Sequence, residues 1–197
     1  MDVPEFFGQS YFTPRISSGR FATVYSLGDR LAAKVPHVLV APWKHHDEWM
    51  RDAEHGLAHE YAVMRQMYSL NLAVPRPEGI YSIRVRTVNT LGGLLFGHRI
   101  SLVMEKVRGT SIGMLSGWER SNAMSLAQEA LREARHKGFT PPENYDLEKE
   151  VIYCGDSRAD ERQVVLTDLH EWEIENTSFT DSGLRQYGNV VYLRRQE

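Results

Sequence analysis

Residues Ile16 to Val35 read ISSGRFATVYSLGDRLAAKV, and the reading of this stretch decides the fold. Ser17, Ser18 and Gly19 form a small-residue turn after Ile16, whereas Phe21, Val24 and Tyr25 carry side chains suited to a pleated, half-buried surface. Gly28-Asp29 has the turn chemistry of a hairpin, and Leu31-Ala32-Ala33 leads into Lys34. The pattern predicts two strands joined by a tight turn, with a lysine at the end of the second. Small residues let backbone N–H groups approach phosphate oxygens closely, and a lysine on a rigid strand brings a positive charge to the same group. The stretch therefore reads as a flexible lid followed by a fixed cation. The competing reading is an ordinary hairpin with a solvated lysine.

The totals narrow the classes. A chain of 197 residues with 42% hydrophobic content can bury a core as one domain or as a compact two-lobed unit. Its net charge of -3, with signs interspersed, provides no basic stripe for nucleic acid. The single cysteine, Cys154, rules out an internal disulfide framework and is too few thiols for a structural zinc site, which points to a reducing compartment. The opening MDVPEFFGQSYFTPR lacks the basic region and apolar run of a secretory signal, and no stretch approaches ~18 consecutive apolar residues. The expectation is a soluble, cytoplasmic protein without a membrane segment; non-classical export into a host cell stays open.

Along the chain, Phe6, Phe7, Tyr11 and Phe12 look like anchors of a lead-in packed on the first sheet. His45 and His46 invite a metal reading, but sequence neighbours point in different directions and no paired cysteine or H-E-x-x-H spacing accompanies them. From Asp47 to Leu70 apolar residues recur at three-to-four-residue steps (Trp49, Ala53, Leu57, Tyr61, Met64, then Met67 or Tyr68), which predicts one long helix. Strand-like runs follow at Gly79 to Val85 and Ile100 to Met104, joined by a glycine-rich turn at Leu91 to Gly97. A second helix is expected from Ser121 or Asn122 as N-cap to Gly138 as terminator. Two short strands then flank a turn: Val151 to Cys154, and Gln163 to Thr167 ending at Asp168.

In this order the parts resemble a protein kinase domain, over roughly residues 16 to 175. The family's lid is G-x-G-x-x-G-x-V and its strand lysine sits in V-A-I-K. Here the lid is Ser17 to Val24, which keeps the middle glycine, the aromatic tip and the valine, while Ser17 and Ala22 replace the outer glycines. The lysine motif is Leu31-Ala32-Ala33-Lys34. The resemblance implies that Ser17, Gly19, Val24 and Ala32 contact nucleotide and that Glu60 pairs with Lys34, with Glu54 and Glu48 as competitors. It implies a hinge at Leu102 to Ile112, with Met104 as gatekeeper and the Glu105 carbonyl and Val107 N–H bonding the adenine edge. The crossing Leu72-Ala73-Val74-Pro75-Arg76-Pro77 is similar to that of small atypical kinases of the RIO and Bud32 type.

The catalytic region departs from the family. The expected H-x-D-x-x-x-x-N is replaced by a segment in which no histidine or arginine precedes Asp146 and no asparagine follows at the right distance. With a one-residue deletion, Asp146-Leu147 matches the family's Asp-Leu, and Glu150 falls on the metal-binding asparagine; Glu143 is a second candidate for the base, and a plain acidic loop an equal alternative. Asp168-Leu169-His170 stands where D-F-G would, with Asp168 as magnesium ligand. In a rival register Asp168 is the base, Glu173 replaces asparagine, and Val190 to Leu193 is the next strand.

The implied fold is α+β and protein kinase-like. Residues 1 to 107 form a lobe with a five-stranded antiparallel sheet, C-helix and hinge, and residues 108 to 197 a reduced, mostly helical lobe. Only about 29 residues follow Asp168, so the resemblance implies a minimal kinase, as in the smallest bacterial or viral examples, or a truncated relative. The implied activity is an ATP- and Mg2+-dependent transfer of phosphate to a protein serine or threonine hydroxyl. Its partners are ATP and a protein substrate, with neither nucleic acid nor membrane. The alternatives are a pseudokinase acting as a nucleotide-binding or protein-interaction module and, more weakly, a small-molecule phosphotransferase of the aminoglycoside-kinase type.

Overall fold

The computed structural model describes residues 15–19, 22–36, 46–88, 94–155 and 163–175, with only the backbone described for 46–51, 53, 83–88 and 94–99. Outside the described residues lie the aromatic lead-in, the lid tip at Arg20 and Phe21, His45, the first part of the glycine-rich turn, most of the turn after Gly155, and Val190 to Leu193.

The elements are β1 (Arg15–Ser18), β2 (Ala22–Leu27), β3 (Leu31–Pro36), α1 (His46–Ser69), β4 (Pro77–Val88) and β5 (Leu94–Glu105), then β6 (Thr110–Ser111), a 3-10 turn (Ile112–Met114) and α2 (Gly117–His136). They continue with β7 (Phe139–Thr140), α3 (Leu147–Glu150), β8 (Val151–Tyr153), β9 (Val164–Leu166) and β10 (Glu173–Ile174). The chain falls into two compact units. The described part of the first comprises residues up to Tyr61 and Glu78–Glu105; that of the second comprises Ala62–Pro77 and residues from Lys106 onward.

The first unit holds a five-stranded sheet ordered β1-β2-β3-β5-β4, as the sequence predicts. The hairpin at Gly28-Asp29 closes as expected, with Gly28 at φ 69, a left-handed value that glycine adopts without penalty. Side chains alternate between the faces of a strand. On one face Ala33, Val35 and Val103 form a buried cluster with Tyr25, Leu27, Leu31 and Tyr81 packed against it. The other face carries the residues described in the next subsection. Leu94 to Gly97, expected in the glycine-rich turn, instead belong to β5, which begins at Leu94.

Helix α1 buries Leu57, Ala58, Val63, Met64 and Met67, so Met67 rather than Tyr68 completes the apolar stripe. It ends where Asn71 turns left-handed (φ 60), with Leu72 N–H donating to the Met67 carbonyl at 3.0 Å and Asn71 N–H to that of Tyr68 at 3.0 Å. These two bonds satisfy carbonyls that the last helical turn leaves open.

Among its described residues the second unit combines the C-terminal part of α1, α2 and α3 with five short strands, arranged as a three-stranded sheet (β6-β8-β9) and a two-stranded one (β10-β7). Helix α2 buries a stripe of alanines, Ala123, Ala127, Ala130 and Ala134, and packs against β9 and β7. Alanine at these positions lets the helix axis lie close to the strands. The helix starts at Gly117 after Ser116, not at Ser121 or Asn122, and Ser116 makes no side-chain cap. Its C-terminal end is as expected: Gly138 leaves it with φ 84.

Candidate functional site

The candidate site residues fall in both units, and each group has its own geometry.

In the first unit, cross-strand register decides which side chains share a face. Ser17 pairs with Val24, Val24 with Lys34, and Lys34 with Leu102; beside this row, Ser26 pairs with Ala32, and Ala32 with Met104. Residues directly opposite in an antiparallel ladder point the same way. Ser17, Val24, Ala32, Lys34 and Met104 therefore occupy one face of the sheet, opposite the Ala33-Val103 cluster. Glu105 pairs with Leu31, so its side chain belongs to that other face; the expectation there concerns its carbonyl. The β1–β2 connection is tight, with Gly19 N–H donating to the Ala22 carbonyl at 2.9 Å. Val107 follows the end of β5 in a segment without regular structure.

Glu60 reaches Lys34 from α1. The Lys34 ammonium lies 2.9 Å from Glu60 Oε1 and 2.8 Å from Oε2, a two-oxygen grip on one cation. Glu60 is the one charged side chain among the described residues that is buried, at 2% exposure. That separates it from its competitor Glu54, which is only half-buried and whose carboxyl is pushed up by desolvation, partly offset by His55. The side chain of Glu48 lies outside the described residues.

In the second unit, Asp146 is the N-cap of α3: its carboxylate accepts from Glu148 N–H at 3.0 Å and faces the Lys149 ammonium at 2.8 Å. The Lys149 hydrogen bond, opposed by partial loss of hydration and reinforced by Glu148 N–H, holds the Asp146 carboxyl below its ordinary value. The same pairing raises the Lys149 ammonium above its own. Arg120 pairs with Glu148 on the neighbouring surface. Glu150 closes α3, and Glu143 is exposed.

Strands β8 and β9 pair antiparallel, Val151 with Leu166 and Tyr153 with Val164, and this hairpin separates Asp146 and Glu150 from Asp168. Asp168 has φ 56, a left-handed conformation uncommon for a residue with a Cβ. Its Oδ1 lies 3.0 Å from His170 Nδ1, and His170 Nε2 lies 3.3 Å from Glu171. Leu169 and Trp172 are fully buried on either side of this turn, with Trp172 N–H donating to the Leu169 carbonyl at 3.2 Å. Glu173, the alternative metal residue of the rival register, is in β10 opposite Thr140.

Sequence reasoning passed over three residues that organise this region, namely Tyr145, Thr167 and Trp172. The Tyr145 ring meets Trp172 edge-on at 5.1 Å. The one available signal is an aromatic residue directly before Asp146, in a loop otherwise polar.

Among the described residues no three His, Cys, Asp or Glu side chains gather to hold a metal ion. Magnesium is commonly bound by one or two carboxylates, with phosphate oxygens and water completing the shell. Among the described residues no helix is long and apolar enough to cross a membrane.

Neither the family models nor the curated proteins contain a match to this sequence. Solved structures do. The Rio2 kinase of Chaetomium thermophilum, in its ADP/Mg2+-phosphoaspartate complex, matches with a TM-score of 0.55 at 14% identity, covering 90% of this chain and 52% of that one. Monomeric WbdD matches with a TM-score of 0.52 at 16% identity, covering 89% of this chain and 38% of its own. The fold is kinase-like. The present chain spans about half the length of the first of these structures and less of the second.

Proposed function

We propose that this chain acts as an ATP- and Mg2+-dependent phosphotransferase on a protein serine or threonine hydroxyl. The observation that carries the reading is the buried Lys34–Glu60 pair, set on the same sheet face as Ser17, Val24, Ala32 and Met104. A lysine held by two carboxylate oxygens keeps a fixed direction, which suits it to orient phosphate oxygens. The Gly19 turn covers the phosphates, and the Glu105 carbonyl and Val107 N–H take the adenine edge. Asp168 and Glu150 would hold magnesium, which would supply positive charge to offset that of the phosphates. Asp146 orients the acceptor hydroxyl and takes its proton. The Rio2 neighbour, crystallised with ADP and Mg2+, supports nucleotide and magnesium as the ligands.

One observation favours a second reading, a pseudokinase that binds nucleotide or a protein partner without transfer. Both Asp146 oxygens are already engaged, one by Glu148 N–H and the other by Lys149. A carboxylate held so, with its proton affinity lowered, is a weak base.

Incubation with labelled ATP, Mg2+ and a generic protein acceptor separates the readings. Transfer that is lost in Asp168→Ala supports the enzyme. Stabilisation by Mg·ATP without transfer supports the pseudokinase, and absence of both effects rejects both.

A further inference from the structure

We propose that Tyr145 is a positioning residue that holds the backbone of Asp168 in its left-handed conformation and so aims the Asp168 carboxylate. The proposal rests, in its consequence for magnesium, on the reading of Asp168 given above.

A non-glycine residue at φ 56 persists only where its surroundings over-determine it. The residue before Asp168 is fixed at every polar atom it has. Thr167 N–H and Thr167 Oγ1 both donate to the Glu150 carbonyl, at 2.8 and 2.7 Å. Those two bonds fill the lone pairs of that oxygen. The Tyr145 hydroxyl lies 3.2 Å from the same carbonyl but only 2.8 Å from the carbonyl of Thr167. With one hydrogen to give, the phenol serves Thr167, whose oxygen belongs to the peptide plane from which the φ of Asp168 is measured.

The phenol is itself held. Its ring stands edge-on to Trp172, at 5.1 Å and 88°, and Trp172 is fully buried at the far side of the Asp168 turn. Tyr145 thus touches the Asp168 segment at both ends: by hydrogen bond just before Asp168 and by ring contact four residues after. It is also the immediate neighbour of Asp146. Glu150 is tied into the same network through its carbonyl, so the loop of Asp146 and Glu150 and the turn of Asp168 keep a fixed relation.

Tyr145→Phe removes the hydroxyl and keeps the ring on Trp172. Hydrogen exchange of the full chain, without ligand, reads the backbone directly. We expect exchange across Asp168 to Glu171 to quicken roughly three- to tenfold, the worth of one hydrogen bond, with Val151–Tyr153 and Val164–Leu166 unchanged. In ADP titrations the variant is expected to lose most of the affinity that Mg2+ adds, while affinity in EDTA stays that of wild type. Unchanged exchange at Asp168 to Glu171, or an equal rise in both strands, would overturn the proposal, because the hydroxyl would then be idle or merely a packing group. Local quickening with full magnesium enhancement would overturn the positioning role. Wild-type protein that binds no Mg·ADP would reject the proposed function, and the exchange comparison would still decide whether the hydroxyl holds Asp168.

Discussion

Among the described residues, the Lys34–Glu60 and Lys149–Asp146 pairs have the same closest separation and opposite standing. Lys34–Glu60 and Lys149–Asp146 both close to 2.8 Å, but the side-chain exposures are 14% and 2% in the first and 77% and 38% in the second. Water screens the second pair and competes for both of its partners, so it adds little. The first pair has given up its hydration, and each charge depends on the other. Distance alone would rank them equal; burial ranks them, and it places the candidate phosphate-binding lysine where its direction is fixed.

The largest effect that would test this difference is Lys34→Met. It strands the Glu60 carboxylate inside the first unit and should cost on the order of 3–5 kcal/mol in urea unfolding. A Lys34→Met, Glu60→Leu double variant should recover much of that loss while remaining unable to bind nucleotide. Recovery of stability without recovery of binding would show that the pair exists for orientation rather than for folding.

Next in size is Gly109→Ala, which asks whether packing rather than charge fixes the second unit. A Cβ at Gly109 would lie 2.3 Å from the Tyr153 carbonyl oxygen and 2.6 Å from Ile152 Cγ2, so β6 and β8 would have to separate. A loss of about 1–3 kcal/mol is expected, read as a lowered urea midpoint with unchanged m-value.

The smallest effect is that of Lys149→Ala, which should leave the unfolding midpoint at neutral pH nearly where it was. Its signature is in pH dependence. The Asp146 carboxyl is held below its ordinary 3.8, so whatever the pair contributes is present above that value and fades as pH falls below it. Wild type and Lys149→Ala should therefore converge in stability in acid. If they differ by as much as the Lys34 variant does at neutral pH, the contrast between the two pairs is wrong.

The sheet was legible because its signals are local. Gly28-Asp29 has only one good use between β-favouring runs, and the register it sets carries Val24, Lys34 and Ala32 onto one face by alternation alone. Glu60 was legible as a candidate through the resemblance of its helix to the kinase C-helix, but its separation from Glu54 rests on burial, which the sequence pattern does not give. The start of α2 was misplaced because Ser121 and Asn122 offer two adjacent capping residues, whereas Gly117 followed by the exposed Trp118 reads as loop. The Asp168 region was least legible. The bond from Tyr145 to Thr167 joins residues 22 apart, and those on the Glu150 carbonyl span 17, distances over which a sequence pattern says nothing.

The most direct test is calorimetric titration of ADP into the full chain, with Mg2+ and with EDTA, for wild type, Lys34→Met/Glu60→Leu and Asp168→Ala. The present account predicts binding by wild type that Mg2+ strengthens, loss of binding in both conditions for the Lys34 variant, and loss of the magnesium enhancement alone for Asp168→Ala. Wild-type protein that takes up no ADP in either condition, or an Asp168→Ala variant with full magnesium enhancement, would contradict it.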